Sequence, residues 1–136
     1  MKDSNNQAIS EFTVRVYIED TDAGGIVFYA NYLKYFERAR TEFFRSRGFE
    51  LRKGLSENIN YVVHSLSVDY KKSAYLDDEL IVSTQVIKTA KTYLIFEQKV
   101  FNQEKDLMVV AEVKIACLYY DSAKPRRLPD ALILSI

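Results

Sequence analysis

The hydrophobic period of this chain changes once, and that change constrains the fold more than any other feature. Between residues 29 and 47, Tyr32, Phe36, Ala39 and Phe43 recur at spacings of four, three and four. That is the rhythm of a helix with one apolar stripe. Arg38, Arg40, Glu42, Arg45 and Arg47 fall mostly off the stripe, and Gly48 stands where a helix C-cap is expected. Beyond residue 60 the period drops to two, the alternation of strands. Residues 62–70 place Val62, His64, Leu66, Val68 and Tyr70 on one face, and 79–88 place Leu80, Val82 and Val86 together. Residues 92–101 are apolar on both faces, as in a central strand. In 107–120, Val109, Ala111, Val113, Ile115, Cys117 and Tyr119 line one face, with Glu112 and Lys114 on the other.

Ahead of the helix, residues 12–18 alternate and read as a first strand. Residues 49–60 read as irregular, and a short final helix is expected after Pro129. The expected fold is therefore α+β, with one long helix against an antiparallel sheet of about five strands. One helix covers one sheet face. The other face keeps apolar residues, so a second subunit is its natural cover.

A chain of 136 residues has the size of one domain, here 1–136, with 1–11 a polar and flexible lead-in. It buries enough surface to need no disulfide, and the single cysteine, Cys117, has no internal partner. Nineteen basic and nineteen acidic side chains leave no excess to draw the chain to nucleic acid or a membrane surface. The start, Met1 to Gln7, lacks the apolar core of a signal peptide, and no run is long enough to span a membrane. A cytoplasmic location is the expectation. Ten tyrosines and eight phenylalanines with no tryptophan suit half-wet surfaces such as clefts and subunit contacts.

The chemistry-bearing stretch lies between the first strand and the helix: Glu19-Asp20-Thr21-Asp22-Ala23-Gly24-Gly25. Two adjacent glycines permit a tight turn. The helix that follows offers unpaired N–H groups and a partial positive charge at its start. A carboxylate beside such donors suits acyl chemistry, which needs a base or nucleophile and a stabiliser for the oxyanion. A calcium loop is excluded: counted from Asp20, position 5 is Gly24 and position 12 is Asn31, where oxygen ligands are required. Asp20 reads as a loop or capping carboxylate. No Gly-x-Ser-x-Gly elbow occurs, nor a glycine-rich nucleotide motif. His64, the one histidine, reads as a core or interface residue, and Cys117 as an inert buried thiol. Glu37 reads as structural, paired with Arg40 or Arg38.

Residues 14–42, VRVYIEDTDAGGIVFYANYLKYFERARTE, resemble the hot-dog-fold acyl-CoA thioesterases of the 4-hydroxybenzoyl-CoA thioesterase family, and within it the branch associated with the Tol-Pal cell-envelope system. The likeness continues through Leu76-Asp77-Asp78 and Lys124-Pro125-Arg126. It implies a sheet wrapped around the long helix, dimers assembled into tetramers, and active sites at the dimer interface. It also implies hydrolysis of acyl-CoA to free acid and CoA, with Asp22 activating water or attacking the carbonyl. No metal or redox cofactor is implied, since CoA belongs to the substrate. The Tol-Pal branch has His where this chain has Tyr29, and often Tyr where it has Ile18. The hydroxybenzoyl branch has Tyr in a similar Tyr-x-Asn-Tyr run, here Tyr29 to Tyr32, which gives Tyr29 a role through its backbone N–H. N–H groups near Tyr29 and Gly25 are expected to polarise the thioester, and Ile18 to make the pocket wall more apolar. Lys88, Lys91, Arg126 and Arg127 are candidate partners of the CoA phosphates. The alternatives are a non-catalytic acyl-CoA or acyl-carrier binding adaptor of an envelope complex, favoured by the missing His, and a dehydratase, which would need a poised His.

Overall fold

The computed structural model describes residues 8–136. The flexible lead-in expected for 1–11 lies outside the described residues for 1–7, whereas Ser10 and Glu11 already belong to a strand. That strand, β1 (Ser10–Arg15), stops short of the expected 12–18. At Val16 the backbone bonds turn to the Asp77-Asp78 turn, and Ile18–Asp20 closes into one 3₁₀ turn.

A second 3₁₀ turn, Tyr29–Asn31, leads into the long helix α1 (Tyr32–Ser46). After it come a short helix α2 (Leu51–Ser56) and the strands β2 (Ile59–Tyr70), β3 (Glu79–Thr89), β4 (Tyr93–Phe101) and β5 (Leu107–Tyr119). The expected final helix is α3 (Asp130–Ser135). Helix α2 corrects the irregular reading of 49–60. Gly54 disguises it, yet Phe49 and Leu51 pack against the core and anchor the turn.

The strands form one antiparallel sheet in the order β1-β3-β4-β5-β2. Strand β4 is central, as its two-sided apolar pattern requires. Helix α1 lies across the β1–β3 side, and its predicted stripe of Tyr32, Phe36, Ala39 and Phe43 is buried to 2% exposure or less. The Phe96 ring of β4 meets Phe43 edge-on at 5.2 Å and Phe44 at 5.8 Å. This is the hot-dog arrangement, a helix held in a wrapping sheet.

Three placements differ from expectation. In β2 the pairing with β5 slips between Val63 and Ser65. A bulge inserts His64 as an extra residue and reverses which side chains face the helix. Tyr61 stacks on Phe44, and Val63, Leu66 and Val68 line a groove beside α1. His64 is exposed, so it is not a core residue. Arg40, read as mostly off the apolar stripe and as a candidate partner of Glu37 alongside Arg38, is 8% exposed and donates to Gln98 Oε1 at 2.9 Å. Gln98 in turn donates to Phe36 O and Thr84 Oγ1, tying the helix to the two strands beneath it. Burial lowers the Arg40 guanidinium to about 10. Glu37 forms no ion pair with Arg38 or Arg40 among the described residues. Tyr119, expected on the apolar face of β5, is exposed at the strand's end. Cys117 is buried and free, and burial pushes its thiol up, which keeps it a poor nucleophile.

Burial also raises the phenols of Tyr32, Tyr35 and Tyr61 above their ordinary 10. An unfolded chain releases phenolic protons near pH 10, while the folded chain retains these three. Their contribution to stability is complete below pH about 10 and is lost as the pH rises past it. Tyr35→Phe is expected to flatten that loss. Urea midpoints at neutral and alkaline pH measure it, and equal slopes for wild type and variant would contradict it.

Candidate active site

The loop after β1 is a tight reversal built from its own sequence. Gly25 N–H bonds Asp22 O at 3.0 Å, and Asp22 N–H bonds Ile26 O at 2.9 Å. Closing both bonds puts Gly25 at φ +77, where a side chain is strained. Gly24 N–H bonds Asp22 Oδ1 at 2.8 Å, the self-capping turn typical of Asp. Leu76 N–H on Gly25 O and Val27 N–H on Ala74 O fasten the loop to the chain between β2 and β3. Asp22 itself is exposed. One oxygen is engaged, while Oδ2 has no hydrogen-bond partner among the described residues.

Asp22 and Tyr29 border one recess of about 250 Å³, together with Phe28, Tyr32, Tyr70 and Lys72. Tyr29 opens the 3₁₀ turn before α1, so its N–H has no partner within the turn. Neither Tyr29 N–H nor Ala30 N–H makes a hydrogen bond among the described residues. Two donors without partners among the described residues thus stand at the start of this turn, and Tyr29 borders the same recess as Asp22. Tyr70 O–H donates to Tyr29 O at 2.8 Å, and the Tyr29 and Tyr70 rings meet edge-on at 6.3 Å. Burial pushes the Tyr32 and Tyr70 phenols up, so both stay neutral at ordinary pH.

The recess brings together Asp22 and Tyr29, while Gly25 closes the turn at Asp22 and does not border the recess. Gly25 N–H is spent inside the turn, bonding Asp22 O, whereas the N–H groups of Tyr29 and Ala30 have no partner among the described residues. Ile18 is 76% exposed on its own turn and does not border the recess. Lys88 and Lys91 lie elsewhere. Lys88 is nine residues along β3 from the end near the loop, roughly 30 Å at 3.3 Å per residue. Its ammonium sits 5.5 Å from the centre of the Tyr93 ring. The main-chain oxygen of Lys91 accepts Leu128 N–H at that same far end, and Leu128 directly follows Arg126 and Arg127. Tyr70 and Lys72 are site-bordering residues with no signal in the sequence, because only the folding of β2 against the loop brings them there. A larger cavity of about 630 Å³ runs between α1 and β2, away from Asp22, and its rim includes Arg38, Arg45 and Glu42. Glu37 also lines it, but Asp22 and the N–H groups at the start of the Tyr29 turn do not.

Comparison with known proteins agrees with this geometry. The thioesterase superfamily model matches residues 24–109. The acyl-CoA thioester hydrolase YbgC of Escherichia coli is 39% identical, over 94% of this chain and 96% of that protein. The acyl-CoA thioesterase YbgC of Haemophilus influenzae is 43% identical, over 87% of each. Among solved structures, the DHNA-CoA thioesterase of Staphylococcus aureus superposes with a TM-score of 0.85 at 28% identity, covering 88% of this chain and 80% of that one. With a hot-dog sheet, the loop aspartate and relatives matched along nearly its whole length, this chain belongs to the thioesterase superfamily.

Proposed function

We propose that this chain hydrolyses an acyl-CoA thioester to a free carboxylic acid and CoA in the recess bordered by Asp22 and Tyr29. The observation that supports the reading is that Asp22, whose Oδ2 has no hydrogen-bond partner among the described residues, and Tyr29, whose N–H likewise has none, border the same recess. That N–H meets the charge that grows on the thioester oxygen, and one such preorganised donor is worth on the order of 3 kcal/mol. As a base, Asp22 takes a proton from water while the water oxygen bonds the acyl carbon. The tetrahedral intermediate then expels CoA as its thiolate. As a nucleophile, Asp22 forms an acyl anhydride, expels the same thiolate, and water cleaves the anhydride. Either route concentrates negative charge on the same oxygen, so the protein needs one set of donors for both.

A thiol reagent that reports free CoA tests the reading. Purified protein is expected to turn over members of a panel running from acetyl-CoA to palmitoyl-CoA, and the panel gives the chain-length preference. No release from any member would count against it.

We place this activity in a homotetramer, a dimer of dimers, in the cytoplasm, the compartment an acyl-CoA substrate implies. The whole of β2 lies at the sheet edge and exposes Val63 and Leu66, an open edge of the kind that pairs with another chain. In such an assembly Lys88 and Lys91 would reach CoA from a neighbouring subunit. Light scattering is expected to give four times the monomer mass, and a monomer at micromolar concentration would overturn the assembly.

A further inference from the structure

Beneath the Asp22 loop lies a second carboxylate, Asp20, 8% exposed and committed on every side. Its Oδ2 accepts Tyr17 N–H at 2.9 Å, its Oδ1 accepts Asn31 Nδ2–H at 3.0 Å, and its main-chain oxygen accepts Phe28 N–H at 3.0 Å. Asn31 is 6% exposed, and its own N–H bonds Phe28 O at 2.8 Å. The Phe28–Tyr29 peptide, which carries the free Tyr29 N–H, is therefore held on both sides. The main-chain oxygen of Asp20 holds the N–H that precedes it, the main-chain N–H of Asn31 holds its carbonyl, and the side-chain bond between Asp20 and Asn31 ties these two anchors together. Asp20 also stands two residues before Asp22. One buried side chain thus joins the start of the segment leading to Asp22, at Tyr17, to the turn that carries Tyr29, at Asn31. Tyr35 Oη sits beside this pair, with no hydrogen bond of ordinary geometry among the described residues, and burial with the neighbouring Asp20 charge keeps its phenol neutral.

We propose that Asp20 and Asn31 are positioning residues that set the place of the Tyr29 N–H relative to Asp22. The proposal rests on Asp22 and Tyr29 being the reacting pair. The Asp20–Asn31 bond is charge-assisted and buried, so it resists bending more than a neutral surface bond does. Rate is sensitive to such placement: a misplacement of about 1 Å can cost about 100-fold. The brace acts on the transition state more than on substrate capture, because the oxyanion forms at the donors only as the carbonyl is attacked.

The test uses four full-length proteins. Asn31→Asp sets two carboxylates against each other. Asp20→Asn turns an amide toward Tyr17 N–H or toward Asn31. The exchange variant, Asp20→Asn with Asn31→Asp, restores one carboxylate and one amide with every donor matched. Each single change is expected to lower kcat for CoA release by about 100-fold with KM within a few-fold. The exchange is expected to recover at least about tenfold of that loss. Melting temperature and circular dichroism are followed in parallel, and rates are expressed per folded molecule. If a single variant does not fold, Asn31→Ser takes its place, since its shorter hydroxyl weakens the bond without adding charge. Wild-type kcat per folded molecule in the single variants, or an exchange variant no faster than either, would overturn the brace. Asp22→Asn runs alongside: if it retains full activity, the reacting pair itself is misassigned, and that failure is distinct from failure of the brace.

Discussion

Asp22→Asn is expected to lower kcat/KM for CoA release by about 10²- to 10⁴-fold while the protein stays folded. The substitution is nearly isosteric. Asparagine Oδ1 can still accept Gly24 N–H, and the Asp22 main-chain bonds to Gly25 and Ile26 are untouched, so the loop keeps its shape. What changes is the second position of the side chain. Oδ2 in the wild type has no hydrogen-bond partner among the described residues, whereas an amide nitrogen can neither take a proton from water nor attack a carbonyl. Exposure argues in the same direction, because removing an exposed carboxylate breaks no packing. Steady-state rates with matched melting curves measure the effect. A loss of less than about tenfold would mean that Asp22 is a turn residue and that the reacting group lies elsewhere.

Phe96→Ala is expected to cost about 3–5 kcal/mol of folding free energy. Phe96 is fully buried on the central strand, paired with Val86 on one side and Val113 on the other. Its ring closes the contact with Phe43 and Phe44, which fasten α1 to the sheet. Truncation leaves a cavity between stiff elements that cannot collapse to fill it. A domain of this size has only about 5–15 kcal/mol in hand, so a large share of its stability goes with that ring. Urea denaturation reads the loss as a lower midpoint with an unchanged slope. The expected signature on activity is a smaller folded fraction with ordinary kcat per folded molecule, opposite to that of Asp22→Asn. A midpoint within experimental scatter of wild type would show that α1 is held by other contacts.

The two predictions rest on parts of the molecule that differ in how far the sequence reveals them. The helix stripe and the strands β3, β4 and β5 were legible because a regular element repeats one geometric relation, and Tyr32, Phe36, Ala39 and Phe43 all obey it. Strand β2 broke its own pattern. One extra residue at His64 moves every following side chain to the opposite face, and nothing in the local sequence announces a bulge. Arg40 was misread for a related reason. Its position is on the edge of the stripe, and its burial is permitted by Gln98, fifty-eight residues away. The loop with Asp22, Gly25 and Tyr29 stood out because it is contiguous and its turn chemistry is local. Tyr70 and Lys72 did not, since they reach the recess through strand pairing alone. Lys88 and Lys91 illustrate the converse: charge type suggested a role, and the length of β3 carries them away from the recess of their own chain.

The most direct test follows the fate of the thioester itself. Acyl-CoA is mixed with wild type and with Asp22→Asn at enzyme excess, and acid, CoA and intact thioester are quantified together by mass spectrometry. A thioesterase site at Asp22 predicts equal amounts of free acid and CoA from wild type, and intact acyl-CoA, still bound, from the variant. Intact thioester with both proteins, or cleavage at equal rates by both, would contradict it.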